Sequence, residues 1–169
     1  PTLDSFCFTL AQQYFSFGDF DITDDCGRRC FRVTGSWPSS WRLDGANGQA
    51  VISMKKRSFI ALEPSFDIYN ASGQFQMAIT RRMSFGVMRF TVEGPNDTPT
   101  NMTIEGNFMS WTFNVFISTP QGKLTVARVE KQFWGREYYV FVTPGQDVPL
   151  MLAACILICR AIREQQNRR

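Results

Sequence analysis

The chain of 169 residues contains no histidine. This absence excludes Ser–His–Asp and Cys–His catalytic arrangements, HExxH metal sites and general bases that use an imidazole. Loops of the GxGxxG or Walker type, which bind nucleotide phosphates through a glycine-rich turn, are also absent from the sequence. We therefore predict that the protein is not an enzyme, has no catalytic residues and uses no cofactor.

Cysteine is present but does not form a metal-binding pattern. Cys26 and Cys30 are separated by three residues around a predicted turn. A zinc site needs four ligands, and no second free pair exists because Cys155 and Cys159 fall inside a predicted helix. The odd total of five cysteines favours free thiols in a reducing compartment over a Cys26–Cys30 disulfide. We therefore predict a cytoplasmic protein.

The aspartates near the N-terminus invite comparison with a calcium-binding loop. These residues are Asp19, Asp21, Asp24 and Asp25. Counted from Asp19, position five of an EF-hand loop is Thr23 and position twelve is Cys30, where the motif needs an Asp or Asn and a Glu. We assign these carboxylates to the solvated surface of a hairpin and predict no metal site.

The formal net charge is only +3, but it is unevenly distributed. Residues 1–27 contain five Asp and no Lys or Arg, whereas residues 55–89 contain six basic residues against Glu63 and Asp67. Because nucleic-acid-binding domains are usually much more basic, we predict no nucleic-acid partner.

Most of the chain before residue 143 has the pattern of β-strands. Sixteen phenylalanines favour strands, and apolar and polar residues alternate between turns that contain Gly or Asn. Strands are predicted at residues 6–11, 90–92, 102–104 and 138–142, and hairpins around the turns Asp25–Gly27, Asn47–Gly48, Ser72–Gly73 and Gln121–Gly122.

One stretch near the C-terminus is entirely apolar. Leu150 to Cys159 is a run of ten residues without a polar side chain, longer than a typical strand and rich in residues that favour helix. Asp147 is a predicted N-cap, and Pro149 suits the first turn. We predict a helix over residues 148–162 that is buried on every face, because it has no polar side and is too short to cross a bilayer.

The strand region contains an internal repeat. FRVTGSW at residues 31–37 resembles MTIEGNF at 102–108, and VISMKK at 51–56 resembles VARVEK at 126–131. Two halves of about six strands each predict a closed antiparallel β-barrel of about twelve strands, because closure removes exposed strand edges. Side chains of the strands alone cannot fill so wide a barrel, so we expect the hydrophobic C-terminal α-helix to occupy its centre.

Six segments, in this order along the chain, resemble the LURP-one-related proteins. The segments are FTLAQQYFSFGDFDITDDCGRRCFRVTG (8–35), WRLDGANGQAVISMKKR (41–57), FDIYNASGQFQMAITRR (66–82), MTIEGNFMSWTFNVF (102–116), GKLTVARVEKQFW (122–134) and DVPLMLAACILI (147–158). The resemblance implies the tubby C-terminal-like fold, which is also assigned to phospholipid scramblases. We therefore predict a single domain at residues 1–163, including the core helix at 148–162, and a basic C-terminal tail at residues 164–169.

The resemblance implies little chemistry. Plant members of the family are linked to pathogen defence, tubby relatives bind phosphoinositides through basic barrel residues, and scramblases are associated with membranes. The leading interpretation is a membrane-surface binding or scaffold module. Two alternatives remain: a scramblase-like membrane protein anchored by its C-terminal helix, and a purely protein–protein role in stress or defence. Family members often have an acidic residue after the apolar run, where this chain has Arg160 and is more basic.

The predicted lipid-binding residues end two consecutive hairpins. They are Lys55, Lys56, Arg57, Arg81 and Arg82. Aromatic or apolar residues follow each group, namely Phe59, Met83 and Phe85, which would give a basic rim with apolar tips. Each Lys or Arg near an anionic membrane contributes about 1 kcal/mol. We therefore predict binding to anionic phospholipid, such as a phosphoinositide, or to a protein partner; the competing interpretation is that these charges are only solvated.

Overall fold

Alternation of buried and less buried residues organises the strands. In the last strand, Tyr138, Val140 and Val142 are buried, and the residues between them are more accessible. The computed structural model describes residues 5–11, 19–36, 39–57, 63–82, 88–107, 110–132 and 137–167. In these ranges the strands are β1 Phe6–Ala11, β2 Phe20–Asp24, β3 Arg29–Ser36, β4 Ser40–Gly45, β5 Ala50–Lys56, β6 Ser65–Asn70, β7 Phe75–Arg82, β8 Met88–Glu93, β9 Pro99–Asn107, β10 Thr112–Thr119, β11 Gly122–Lys131 and β12 Glu137–Val142.

The twelve strands form one closed antiparallel barrel. Each strand pairs with its neighbour in the sequence, and β1 pairs with β12 from Phe6 opposite Val142 to Ala11 opposite Glu137. Register shifts interrupt five of the pairings, and such bulges bend strands enough to help a sheet close. The predicted barrel of about twelve strands is confirmed.

The helix α1, Val148–Asn167, lies inside this barrel and packs against β5, β7, β11 and β12. Its N-terminus is capped as predicted, because the amide of Leu150 donates a hydrogen bond to Asp147 Oδ1 at 3.1 Å. Every residue from Met151 to Cys159 is at most 2% exposed, which confirms the predicted core helix. The helix does not end at residue 162 as predicted but continues to Asn167, into the predicted tail.

The sequence repeat corresponds to a repeated contact between a glycine and an aromatic residue on neighbouring strands. Gly35 on β3 lies opposite Trp41 on β4, and Gly106 on β9 lies opposite Phe113 on β10. In both pairs the aromatic ring lies against the glycine: a Cβ atom would be 3.1 Å from Trp41 Cδ1 at Gly35 and 2.0 Å from Phe113 Cδ1 at Gly106. The stretch β3–β5 therefore corresponds to β9–β11, six strands further around the barrel.

The two ends of the barrel differ. At one end are the hairpin turns at residues 25–28, 46–49, 71–74, 94–98 and 120–121, and the turn at 143–147 from which α1 enters. At the other end, which we call the helix-exit end, the odd-numbered strands finish, the even-numbered strands begin and α1 finishes. The predicted lipid-binding residues lie at the helix-exit end.

Candidate anion-binding end of the barrel

The pleat of the strands divides the predicted lipid-binding residues between two surfaces. Lys56 and Arg81 face inward toward α1, whereas Lys55, Arg57 and Arg82 face outward. Neighbouring residues on a strand point to opposite faces, so a run of adjacent basic residues cannot form one patch. The structure therefore brings the five residues to one end but not to one surface.

Two of the outward residues are already paired with carboxylates. Arg57 Nη2 lies 2.7 Å from Asp67 Oδ1. Arg82 Nη1 lies 2.7 Å from Glu63 Oε2. Exposed pairs of this kind add little to stability, but each one cancels a positive charge that would otherwise attract an anion.

The inward residues of this set attach the barrel wall to the end of α1. Lys56 Nζ lies 2.7 Å from Glu164 Oε2, and the Lys56 side chain is only 10% exposed. Arg81 is 6% exposed, and its Nη1 donates a hydrogen bond to the carbonyl oxygen of Ala161 at 3.2 Å.

Three further cations lie at the same inner surface. Lys131, the counterpart of Lys56 in the repeat, lies with its Nζ 4.4 Å from the ring centroid of Trp111. The guanidinium carbon of Arg160 lies 4.0 Å from the ring centroid of Trp41. The Nη1 atom of Arg163 is buried and has no hydrogen-bond partner among the described residues.

The environment of Arg160 shows that these cations are partly removed from water. The pKa of Arg160 is lowered to about 10, chiefly by burial; the nearby charge of Glu164 opposes this shift and that of Arg163 adds to it. The guanidinium is still charged at neutral pH. The opposing effects of Glu164 and Arg163 on this pKa show that the three side chains interact electrostatically.

Together these side chains form what we call the inward cluster: Lys56, Arg81, Lys131, Arg160, Arg163 and Glu164. Five cations and one carboxylate leave a formal excess of four positive charges among the described residues. Like charges held close together at the mouth of a low-dielectric barrel raise the local potential and attract anions.

The sequences that connect these strands outside the described residues contain no carboxylate. Between consecutive strands, residues 12–18, 37–38, 58–62, 83–87, 108–109 and 133–136 lie outside the described residues, and their sequences contain one Arg and no Asp or Glu. The predicted apolar tips Phe59, Met83 and Phe85 are among them, so their positions lie outside the described residues.

Part of the inward cluster could have been found from the sequence. The repeat aligns Lys56 with Lys131, and counting in steps of two from the apolar residues of β5 and β11 places both side chains inward. Arg160 and Arg163 could not be placed in this cluster from the sequence, because the extent of the wall around the end of α1 is not visible there.

The cysteines and aspartates do not combine into a second site. All five cysteines are free, as predicted. Among the described residues, the potential metal ligands that lie close together are Asp24, Asp25 and Cys26, in an accessible turn. Asp24 Oδ1 already accepts hydrogen bonds from the amides of Cys26 and Arg28, each at 2.9 Å. This arrangement is that of a hairpin turn.

The described part of the chain contains no helix that is long and apolar enough to cross a membrane.

Comparison with known proteins agrees with the architecture. A family model described as LURP-one-related matches residues 6–159. The X-ray structure of a protein from Arabidopsis thaliana superposes with a TM-score of 0.71 at 12% sequence identity, covering 94% of this chain and 91% of that chain. At such low identity this likeness concerns the fold alone. No curated protein matches the chain.

Proposed function

This chain belongs to the LURP-one-related family, and we propose that it is a non-enzymatic binding module that attaches to anionic phospholipid at the cytoplasmic membrane surface. The helix-exit end of the barrel is the surface of contact. The observation that carries the proposal is the inward cluster, which contains five cations and one carboxylate.

The sequence of the connections at this end supports a membrane rather than only a soluble anion. The connecting segments that contain no carboxylate are rich in aromatic residues, among them Phe59, Phe85 and Trp134. Aromatic side chains favour the boundary between lipid headgroups and acyl chains, and basic residues favour anionic headgroups. A cationic barrel end and connecting sequences rich in aromatic residues match both preferences.

The strength of membrane binding can be estimated from the excess positive charge of the inward cluster. Each Lys or Arg near an anionic leaflet contributes about 1 kcal/mol, and this attraction decays within a Debye length of about 8 Å at physiological salt. The four excess charges of the cluster would therefore give reversible binding that depends on salt, as expected of a peripheral protein. The scramblase-like alternative is less favoured, because removing α1 as an anchor would leave the apolar interior of the barrel empty.

Co-sedimentation with vesicles tests the proposal. The full chain is mixed with vesicles of phosphatidylcholine alone, with added phosphatidylserine, and with added phosphoinositide, at low and at physiological salt. We expect binding only to the anionic vesicles, and weaker binding at the higher salt. Replacing two cluster cations in Lys131→Gln/Arg163→Gln should weaken binding about 30-fold, the equivalent of about 2 kcal/mol.

A matched control removes the same charge elsewhere. Lys123 and Arg128 lie on β11, where they pair with Glu105 and Glu130 on the outer wall. The variant Lys123→Gln/Arg128→Gln should bind anionic vesicles as the unmodified protein does. An equal loss in both variants would contradict a contact through the helix-exit end. Absence of binding to every vesicle would replace the lipid proposal with a role as a protein-partner scaffold.

A further inference from the structure

We propose that the outer wall of β3, β4 and β5 carries a binding site for a phosphate group. The site is a surface groove of about 320 Å³, which we call the outer groove. Its outward-facing polar side chains are Thr34, Ser40, Arg42, Ser53 and Lys55. The groove goes beyond the proposed function, because it lies on the opposite side of the barrel wall from the inward cluster and uses none of its residues.

Strand register places these side chains next to one another. Thr34 on β3 lies opposite Arg42 on β4, and Arg42 lies opposite Ser53 on β5. One step of two residues further along, Ser40 lies opposite Lys55. Since strands are about 4.8 Å apart and residues on one face are about 6.7 Å apart, the five side chains share a patch about 10 Å by 7 Å. A patch of this size holds one phosphate group and the first atoms of its substituent.

The hydrogen-bonding groups of the groove are free to bind a ligand. Within the described residues, the hydroxyl groups of Thr34, Ser40 and Ser53 have no hydrogen-bond partner. Lys55 likewise has no carboxylate partner there, and its Nζ lies 5.6 Å from the ring centroid of Tyr69. The ammonium group could therefore turn from the ring toward the groove.

Arg42 is fixed in place beside these groups. Its Nε and Nη2 donate hydrogen bonds to the two carboxylate oxygens of Asp44, at 2.6 and 2.9 Å. Asp44 is 5% exposed and does not line the groove. The guanidinium is thus oriented by a partner at the edge of the site, and the lining side chains include two cations and no carboxylate.

This set of donors favours a tetrahedral oxyanion over other ligands. The unpaired ammonium of Lys55 disfavours a cation, and Asp44 offsets the charge of Arg42. Three hydroxyls, the ammonium and the remaining N–H groups of Arg42 still offer more donors than the two oxygens of a carboxylate can accept. A phosphate group presents three or more acceptor oxygens and makes strong charge-assisted bonds to Lys and Arg. The phosphate could belong to a phosphorylated lipid headgroup or to a soluble phosphorylated molecule, since both offer the same chemistry.

Titration of the full chain, labelled with ¹⁵N, with inorganic phosphate tests the groove. Ionic strength is held constant with sodium chloride, and acetate serves as the comparison anion. We expect saturable shifts of the backbone amide signals of Ser40, Ser53 and Lys55 with phosphate, and no saturable shift with acetate. In the variant Ser53→Ala/Lys55→Gln we expect the affinity for phosphate to fall by about tenfold or more, as for the loss of a hydrogen bond to a charged group.

A matched control carries the same two substitutions on another part of the outer wall. Ser118 and Lys123 lie opposite each other on β10 and β11. The variant Ser118→Ala/Lys123→Gln should bind phosphate as the unmodified protein does. The proposal is overturned if no amide shift saturates, if the shifts spread over the whole surface, or if Ser53→Ala/Lys55→Gln leaves the affinity unchanged.

A vesicle arm identifies the source of the phosphate and separates this proposal from the proposed function. Vesicles containing phosphatidylinositol 4-phosphate are compared with vesicles containing phosphatidylserine at the same total charge. The ligand is a lipid headgroup if phosphate binds and if Ser53→Ala/Lys55→Gln abolishes only the preference for vesicles with phosphatidylinositol 4-phosphate over those with phosphatidylserine. If vesicle binding is unaffected while phosphate binding is lost, the ligand is a soluble phosphorylated molecule. Either result supports a phosphate site in the outer groove. Failure of the proposed function would appear separately, as unchanged binding of Lys131→Gln/Arg163→Gln to anionic vesicles.

Discussion

Replacing Gly106 by alanine should destabilise the barrel, because the new methyl group would overlap a buried ring. A Cβ atom at Gly106 would lie 2.0 Å from Phe113 Cδ1 and 2.5 Å from Cε1. Phe113 is 1% exposed, so the ring can move only by displacing the surrounding core. Overpacking of this kind costs about 1–3 kcal/mol, and the reduced freedom of the unfolded chain returns about 0.5 kcal/mol.

The expected loss is therefore about 1.5 kcal/mol, which lowers the melting temperature of a chain of this size by about 3–6 °C. Denaturant unfolding gives the free energy, and differential scanning calorimetry gives the temperature. The repeat provides the control, since a Cβ at Gly35 would lie 3.1 Å from Trp41 Cδ1, a contact that a shift of a few tenths of an ångström relieves. Gly35→Ala should change the stability by less than about 1 kcal/mol.

A second substitution tests whether the Phe113 ring causes the loss of stability in Gly106→Ala. If the ring is the obstacle, Phe113→Leu should cost less in the Gly106→Ala background than alone, with a coupling energy of about 1 kcal/mol or more. Unchanged stability of Gly106→Ala, equal losses in Gly106→Ala and Gly35→Ala, or strictly additive effects would each refute the reasoning.

Three other predictions concern α1 and the thiols. Asp147→Ala removes the N-cap bond and should lower the free energy of unfolding by about 1 kcal/mol, measured with urea; an unchanged value would contradict the cap. A double-mutant cycle on Lys56→Met and Glu164→Gln should give a coupling energy of about 1–3 kcal/mol, because the Lys56 side chain is only 10% exposed; additive losses would contradict the pair. Burial raises the pKa of Cys155 to about 12, so this thiol should stay protonated and resist Ellman's reagent at pH 8 until the protein unfolds, whereas the exposed Cys26 should react at once; rapid modification of Cys155 in the native protein would contradict its burial.

The fold could be predicted because its signals are local. The apolar run of α1, the alternation along each strand and the glycine turns each specify one element, and the repeat implies that the halves close on one another. The predicted end of α1, at residue 162, lies before the observed end at Asn167. Glu164 looks like a residue of a polar tail in the sequence, but in the fold it pairs with Lys56, more than one hundred residues away in the chain.

The candidate sites were less predictable because they depend on pairing between distant strands. The basic runs at Lys55–Arg57 and Arg81–Arg82 were recognised, but the alternation of the strand divides each run between the two faces of the wall. The outer groove combines side chains from three strands whose relative register depends on the turns and on a bulge between Leu43 and Asp44. Neither register nor bulge can be obtained from composition or spacing alone.

The orientation of the protein on a membrane tests the central claim most directly. A fluorescent label is placed at Gln132→Cys, at the helix-exit end, or at Gln74→Cys, in a turn at the opposite end, after the accessible thiols are replaced by serine; both positions are exposed. Quenching by nitroxide lipids in phosphatidylserine vesicles is then measured. We expect strong quenching of the label at position 132 and little at position 74. Equal quenching at both positions, or the reverse order, would contradict membrane attachment through the helix-exit end.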